Sequence, residues 1–172
     1  MGNVRAGDGD LLLNEWACLG LLGPAPAHGF ALATRLAPTG DVGRVWALSR
    51  PLTYRALDQL VARGLVEPVG TEPGRAGGPR TILAPTKAGR AALKRWLRQP
   101  VEHLRDVRAE LLLKLVLADL NGVDARPLVA SQRAAFQPVL DVLRAEATAV
   151  DPVGVWRRES ALAVARFLDA LS

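Results

Sequence analysis

Residues 48–65, LSRPLTYRALDQLVARGL, decide how the chain is read. Ser49 stands where a helix N-cap belongs, and Pro51 lies in the first turn, where its missing N–H costs little. Gly64 occupies the position that suits a helix end. Between them Ala56, Leu57, Leu60 and Val61 recur at helical spacing and make one apolar face. Tyr54, Arg55, Asp58 and Gln59 fall on the opposite side at 100° per residue. A helix of about fifteen residues is roughly 22 Å long, enough to cross a major groove. With Arg50 in its first turn, and Arg55 and Tyr54 on its outer face, the segment reads as a recognition helix. The rest of the chain would then hold that helix or pair it with a second copy.

Upstream, residues 1–10 contain three Gly and two Asp and read as a flexible lead. Leu13, Trp16, Ala17, Gly20 and Leu21 follow a helical period, with Asn14 as candidate cap and the GPAP of 23–26 as the stop. A second short helix is expected from His28 to Leu36, with Phe30, Ala33 and Leu36 inward. Pro38 to Val42 has turn chemistry, and Val45 to Leu48 leads into the recognition helix. Downstream, Leu65 to Val69 reads as a short strand that Pro68 marks as an edge. Residues 70–79, GTEPGRAGGP, carry four Gly and two Pro and read as irregular. Arg80 to Ala84 is a second strand, so the two make a hairpin with a basic tip. Thr86 then caps a helix over Lys87–Arg98 with Ala91, Ala92, Leu93 and Trp96 apolar. The order helix, helix, helix, hairpin is that of a winged helix-turn-helix.

Gln99-Pro100 is the expected boundary. Beyond it, Asp106 opens a helical run stopped by Asn121-Gly122. Leu111, Leu112, Leu113, Leu115, Val116, Leu117 and Leu120 wrap much of its circumference, which calls for cover by a second helix or a second protomer. Residues 125–149 form a long helical pattern with Phe136, Val139, Leu140 and Leu143, and a kink is expected at Pro138. The chain closes on Val153 to Leu171, where Val155, Trp156, Ala163, Phe167 and Leu171 share a stripe. The expected organisation is mainly α with a small β-hairpin. Residues 1–10 form the lead, 11–99 a winged helix-turn-helix DNA-binding domain and 100–172 a helical dimerisation domain.

Composition narrows the function. Apolar residues make up 49% of the 172, enough for a real core. Residues 1–100 hold 13 Lys or Arg against 7 Asp or Glu, a surplus of 6, whereas residues 101–172 hold 9 against 10. A basic first half beside a neutral second half suggests that the first half meets a polyanion. The single cysteine, Cys18, excludes an internal disulfide, and it reads as a small core residue. His28 and His103 lie 75 residues apart with no Cys/His cluster, so no metal site is expected. His28, beside Gly29, reads as a cap or a satisfied core polar group. No nucleophile sits in an activating context, and the glycines of 70–78 belong to a hairpin rather than a phosphate loop. Neither a catalytic residue nor a cofactor is expected, and the chain does not read as an enzyme. Membrane spans and signal-peptide patterning are not evident, so the expected address is the cytoplasm.

Four stretches carry a resemblance. They are Leu19-Gly20-Leu21-Leu22 with His28-Gly29-Phe30; Leu48-Ser49 through Tyr54-Arg55-Ala56-Leu57 to Arg63-Gly64-Leu65-Val66; Thr86-Lys87-Ala88-Gly89-Arg90 to Trp96-Leu97; and Arg105-Asp106-Val107-Arg108 with Glu110 to Leu115. In this order and spacing the chain resembles the PadR family of bacterial transcriptional regulators along nearly its whole length. One departure is that Leu52 and Thr53 stand where the family often has a small polar and then an aliphatic residue. On the wheel Thr53 turns toward the apolar face, which leaves Leu52 to meet a thymine methyl. The resemblance implies a dimeric DNA-binding regulator, usually a repressor.

Its partners would be double-stranded DNA and a second copy; the resemblance leaves the operator and the effector open, with a small hydrophobic or aromatic molecule as the candidate effector. The resemblance also supports Tyr54 as a phosphate contact. From the residues themselves, Arg50 suits a guanine edge and Arg55 a phosphate or base. Arg44 suits the backbone, Arg75 and Arg80 the minor groove beside the wing, and Lys87 a nearby phosphate. Ser49, at the helix start, completes the expected DNA-contact set. Trp16, Trp96 and Trp156 are candidates for an aromatic effector pocket, with ordinary core packing as the alternative. Leu111, Leu112, Leu115, Val116, Trp156, Phe167 and Leu171 are the expected dimer contacts. A winged-helix protein-interaction module that does not bind DNA is the other open reading, against which Arg50, Arg55, Arg75 and Arg80 argue together.

Overall fold

The structure, a computed structural model, describes residues 11–74, 77–145 and 151–171. Its helices are α1 (Leu13–Leu22), α2 (Gly29–Arg35), α3 (Arg50–Ala62), α4 (Lys87–Trp96), α5 (Leu112–Leu120), α6 (Arg126–Ala145) and α7 (Pro152–Ala170). Local chemistry sets several of their ends. Ser49 Oγ accepts from Leu52 N and Thr86 Oγ1 from Gly89 N, while Gly64 ends α3 at φ +68°. Asp151 caps α7. Asn14 is not the cap of α1: Leu12 is, with its N–H donating to Glu15 Oε2 at 2.8 Å. Asn14 Oδ1 instead accepts from Trp46 Nε1 at 2.9 Å, a tertiary demand that outweighs its capping preference.

The wing is a three-stranded antiparallel sheet, β1 (Ala27–His28), β2 (Val66–Glu72) and β3 (Arg80–Pro85), in the order β1-β3-β2. Pro68 does sit on an edge strand. The expectation that residues 70–79 are irregular throughout is corrected at its start. Gly70, Thr71 and Glu72 continue β2 opposite Ile82, Thr81 and Arg80, after a register shift that follows Pro68. The two-residue strand β1 was not expected; it exists only because β3 offers Leu83 and Ile82 as partners.

Thr86 sews α4 to the end of α3. Its Oγ1 donates to Gly64 O at 2.8 Å and its N–H to Leu65 O at 3.0 Å. A Cβ on Gly89 would lie 2.0 Å from that Leu65 carbonyl, so only glycine lets the two segments approach.

Two apolar cores result. The first joins most of α1 to Leu32, Leu36, Leu57, Leu60, Leu93 and Trp96, and it includes Leu113 and Leu117 of α5. The second joins Val101, Val107 and Leu111 to Phe136, Leu140, Ala161 and Leu168. Leu111 is fully buried, and Leu112, Leu115 and Val116 are half-buried. Within one chain the helix is thus covered on the sides of Leu111, Leu113 and Leu117, while Leu112, Leu115 and Val116 keep part of their surface open. Regular α-helix also begins later than expected, after a 3-10 turn at Leu104–Asp106 and a π turn at Val107–Leu111.

Side chains fasten the segment between α4 and α5. Lys114 is buried, donates from Nζ to Gln99 O at 2.8 Å, pairs with Glu110 at 2.7 Å and stands 4.8 Å from the Trp96 ring centre. Burial pulls its pKa down, against the carboxylate of Glu110. Gln132 mimics a strand partner: its amide accepts from Val101 N at 2.7 Å and donates to Val101 O at 2.9 Å.

In α6, Pro138 lies inside the helix; residues 146–149 of the expected pattern are outside the described residues. In α7, Ala161 and Leu168 are buried, whereas Trp156 is 72% and Val153 62% exposed. Among the described residues, no helix is long and apolar enough to cross a membrane.

Candidate nucleic-acid interface

The surface built by α2, α3 and the wing holds the site. Thr53 is fully buried, with Oγ1 donating to Ser49 O at 3.1 Å, as its place on the wheel required. Leu52 and Tyr54 are exposed beside it. The Tyr54 ring lies against Gly29, where a Cβ would stand 2.6 Å from Cε1. Helix α2 thus begins with a residue small enough to seat the tyrosine.

Phe30 reverses the expectation that it points inward. It is 39% exposed, while Leu32, Ala33 and Leu36 fill the core side of the segment. The guanidinium carbons of Arg50 and Arg80 lie over its ring, 4.9 and 5.0 Å from the centre. Each such contact at an exposed site is worth about 0.5–1 kcal/mol. Sequence reasoning missed this role because an aromatic at helical spacing is ordinarily core. Its neighbour Gly29, needed by Tyr54, was the available hint that this end of α2 meets α3.

His28 caps α2, accepting from Ala31 N at Nδ1 over 3.0 Å. Its neutral ring then carries the proton on Nε2, which donates to Glu72 Oε1 at 2.9 Å. Arg80 Nη1 sits 3.5 Å from the same nitrogen and finds no lone pair there. His28 is therefore a structural clip between α2 and β2. Tyr54, His28 and Arg80 also line one groove of about 640 Å³ between α3 and the wing, floored by Leu57 and Leu83.

Contacts therefore bring Arg50, Tyr54 and Arg80 onto one face, with Ser49 fixing the turn that carries Arg50. Arg55 and Lys87 are exposed, Lys87 as the first residue of α4. Arg44 is exposed and bonds its own loop, Nε to Asp41 O at 3.0 Å. Arg75 lies outside the described residues.

The expected tryptophan pocket is not assembled. Trp16 and Trp96 are both buried and stack on each other, with ring centres 4.7 Å apart and planes 7° off parallel. They leave no room for a ligand between them. Trp156 is elsewhere, in a groove of about 860 Å³ whose apolar lining includes Val107, Leu112, Val164 and Phe167. Arg105, Arg108 and Arg157 stand around it with no acidic residue in the lining. Among the described residues, no group of three or more His, Cys, Asp or Glu is placed to hold a metal ion.

No family model matches the sequence, and no curated protein matches it. Among solved structures, Bacillus subtilis PadR in complex with operator DNA has 18% identity and a TM-score of 0.50, over 93% of this chain and 97% of that one. The same protein in complex with p-coumaric acid gives 18% identity and a TM-score of 0.47, over 93% and 96% of the two chains. The coverage of the DNA complex takes in the winged helix and the C-terminal helices alike. The likeness at this identity is one of architecture, and the chain has the fold of PadR: a winged helix-turn-helix continued by a helical C-terminal region.

Proposed function

We propose that this protein is a sequence-specific DNA-binding regulator, a repressor working as a homodimer in the cytoplasm. The observation that carries the reading is the face on which Arg50 of α3 and Arg80 of the wing stand together over Phe30, with Tyr54 seated beside them. Arg50 has no carboxylate partner among the described residues, so its five N–H donors are free for base edges or phosphate. The charge surplus of the first hundred residues and the fold shared with an operator-binding protein support the same reading. A protein-interaction module need not present a cationic face of this kind.

In this reading residues 11–99 contact DNA, residues 100–172 pair two chains, and no step is catalytic. The pairing surface is the α7 stripe left exposed around Trp156, together with Phe167 and Leu171. A groove lined by Trp156 and Phe167 at such a boundary also suits a small aromatic effector that releases the DNA. Two-fold symmetry then requires a pseudo-palindromic operator with half-sites about 10 bp apart or a multiple of that.

The test is selection of duplexes from a random library by the purified chain, followed by fluorescence anisotropy on the selected and scrambled duplexes across salt. A selected palindrome bound far more tightly than its scramble, with a steep salt slope, is the expected result. Arg50→Ala should flatten the preference at one base position, at a cost of about 1–3 kcal/mol. Equal, salt-insensitive binding of both duplexes overturns the reading.

A further inference from the structure

We propose that Phe30 is a positioning residue that ties Arg50 and Arg80 into one DNA-reading unit; this rests on the DNA-binding reading above. Phe30 is 39% exposed and belongs to neither apolar core; its ring is flanked by the two guanidinium groups and by the His28 ring, 6.2 Å between centres. Two guanidinium carbons at 4.9 and 5.0 Å from one ring centre can be no farther apart than the sum of those distances, about 10 Å. That is about one Debye length at 0.1 M salt, so the two cations repel each other in solution. The negative face of the ring offsets the repulsion, and a DNA strand, with a charge about every 3.4 Å of axis, removes it.

The contact also leaves the arginines chemically free. Lying over a ring uses none of the N–H groups that would bond a base edge or a phosphate oxygen. For Arg80 the neighbouring imidazole takes none either, since its Nε2–H is turned to Glu72. The two arginines come from different elements, the first turn of α3 and the first residue of β3, and no hydrogen bond joins those two residues. Phe30 supplies the join. His28, the cap two residues before it, clips the same end of α2 to Glu72, which pairs with Arg80 across the strands. The recognition helix and the wing are thereby held at one spacing before DNA arrives.

The test is a double-mutant cycle on the duplex that the wild-type chain selects from a random library. Affinity is read by anisotropy for Arg50→Ala, Arg80→Ala and the double variant, in the Phe30, Phe30→Leu, Phe30→Met and Phe30→Tyr backgrounds. Thermal unfolding checks each fold. With Phe30 present, each arginine variant should lose about 10-fold and the double variant about 20-fold, well short of the product of the two losses. With Leu or Met the losses should multiply, and the parent should already bind about 5-fold more weakly at an unchanged Tm; Tyr should restore both affinity and coupling. A merely structural role for Phe30 lowers affinity without changing how the two arginine losses combine. Losses that multiply in the Phe30 background, or coupling that survives in Phe30→Leu and Phe30→Met, overturn the proposal while leaving DNA binding intact. A chain that selects no duplex overturns both.

Discussion

A methyl group added at Gly29 would meet the Tyr54 ring at 2.6 Å, and the ring has an open path because Tyr54 is 43% exposed. Gly29→Ala is therefore expected to cost only about 1–2 kcal/mol of stability, since the ring can swing outward. Duplex affinity should fall about tenfold as the tyrosine leaves its seat, a contact loss of about 1.4 kcal/mol. Parallel urea melts and anisotropy titrations would check both. Cys18 makes an opposite kind of prediction. It is fully buried, and burial pushes its thiol from 9.0 to about 12, with Glu15 adding to the shift. The folded protein should resist thiol reagents at pH 8 and react once unfolded. Because the folded form holds the proton more tightly, the stabilising contribution is complete below pH 9 and is lost as pH climbs toward 12. Unfolding free energies measured across that window should fall in the wild type and fall less in Cys18→Ala.

At the scale of elements, Gln132 is the side chain that hydrogen-bonds α6 to Val101, ahead of α5. Gln132→Leu leaves the buried N–H and C=O of Val101 unpaired, an expected cost of about 2–5 kcal/mol. Urea unfolding should show it as a lower midpoint at unchanged slope. The elements also show where reading a sequence succeeds. Ser49, Thr86 and Gly64 were legible because a cap is chemistry between residues three or four apart. The strand at Ala27–His28 was not, because its reason for existing is Leu83 and Ile82, more than fifty residues away. Asn14 misled for the same reason: a cap residue by type, it is claimed by Trp46. Phe30 misled because helical spacing says which residues share a face and not whether that face meets core or cations. Of the two readings open to Trp16 and Trp96, ligand pocket and core packing, burial of both rings fits core packing. Only the three-dimensional structure shows the stack that excludes a ligand from between them.

For the molecule as a whole, the exposed stripe on α7 is the place to test self-association. Trp156→Glu puts a charge in the middle of it, and sedimentation should show the proposed dimerisation weakened by about 30-fold or more, the loss of about 2 kcal/mol or more expected of a central aromatic anchor. The Tm of the monomer should hold, since Trp156 at 72% exposure contributes little to either core. On the proposed dimeric DNA-binding function, affinity for the selected palindrome should drop as well, because one half-site alone holds the protein less well than two. The helix between the cores bears on what can be exchanged. Leu113 and Leu117 of α5 belong to the core of the winged helix, and Asn121 Nδ2 donates to Gly20 O of α1 at 2.9 Å, whereas Leu111 belongs to the other core. A winged helix cut from this chain at Gln99-Pro100 would lose Leu113 and Leu117 and carry an open apolar face along α1. A cut after residue 123 would spare that joint only by opening the other one, since it parts Val101, Val107 and Leu111 from Phe136 and Leu140 and Val101 from Gln132. The two halves are therefore exchangeable between proteins of this fold only as one piece, because residues 100–123 are mortar for both cores at once.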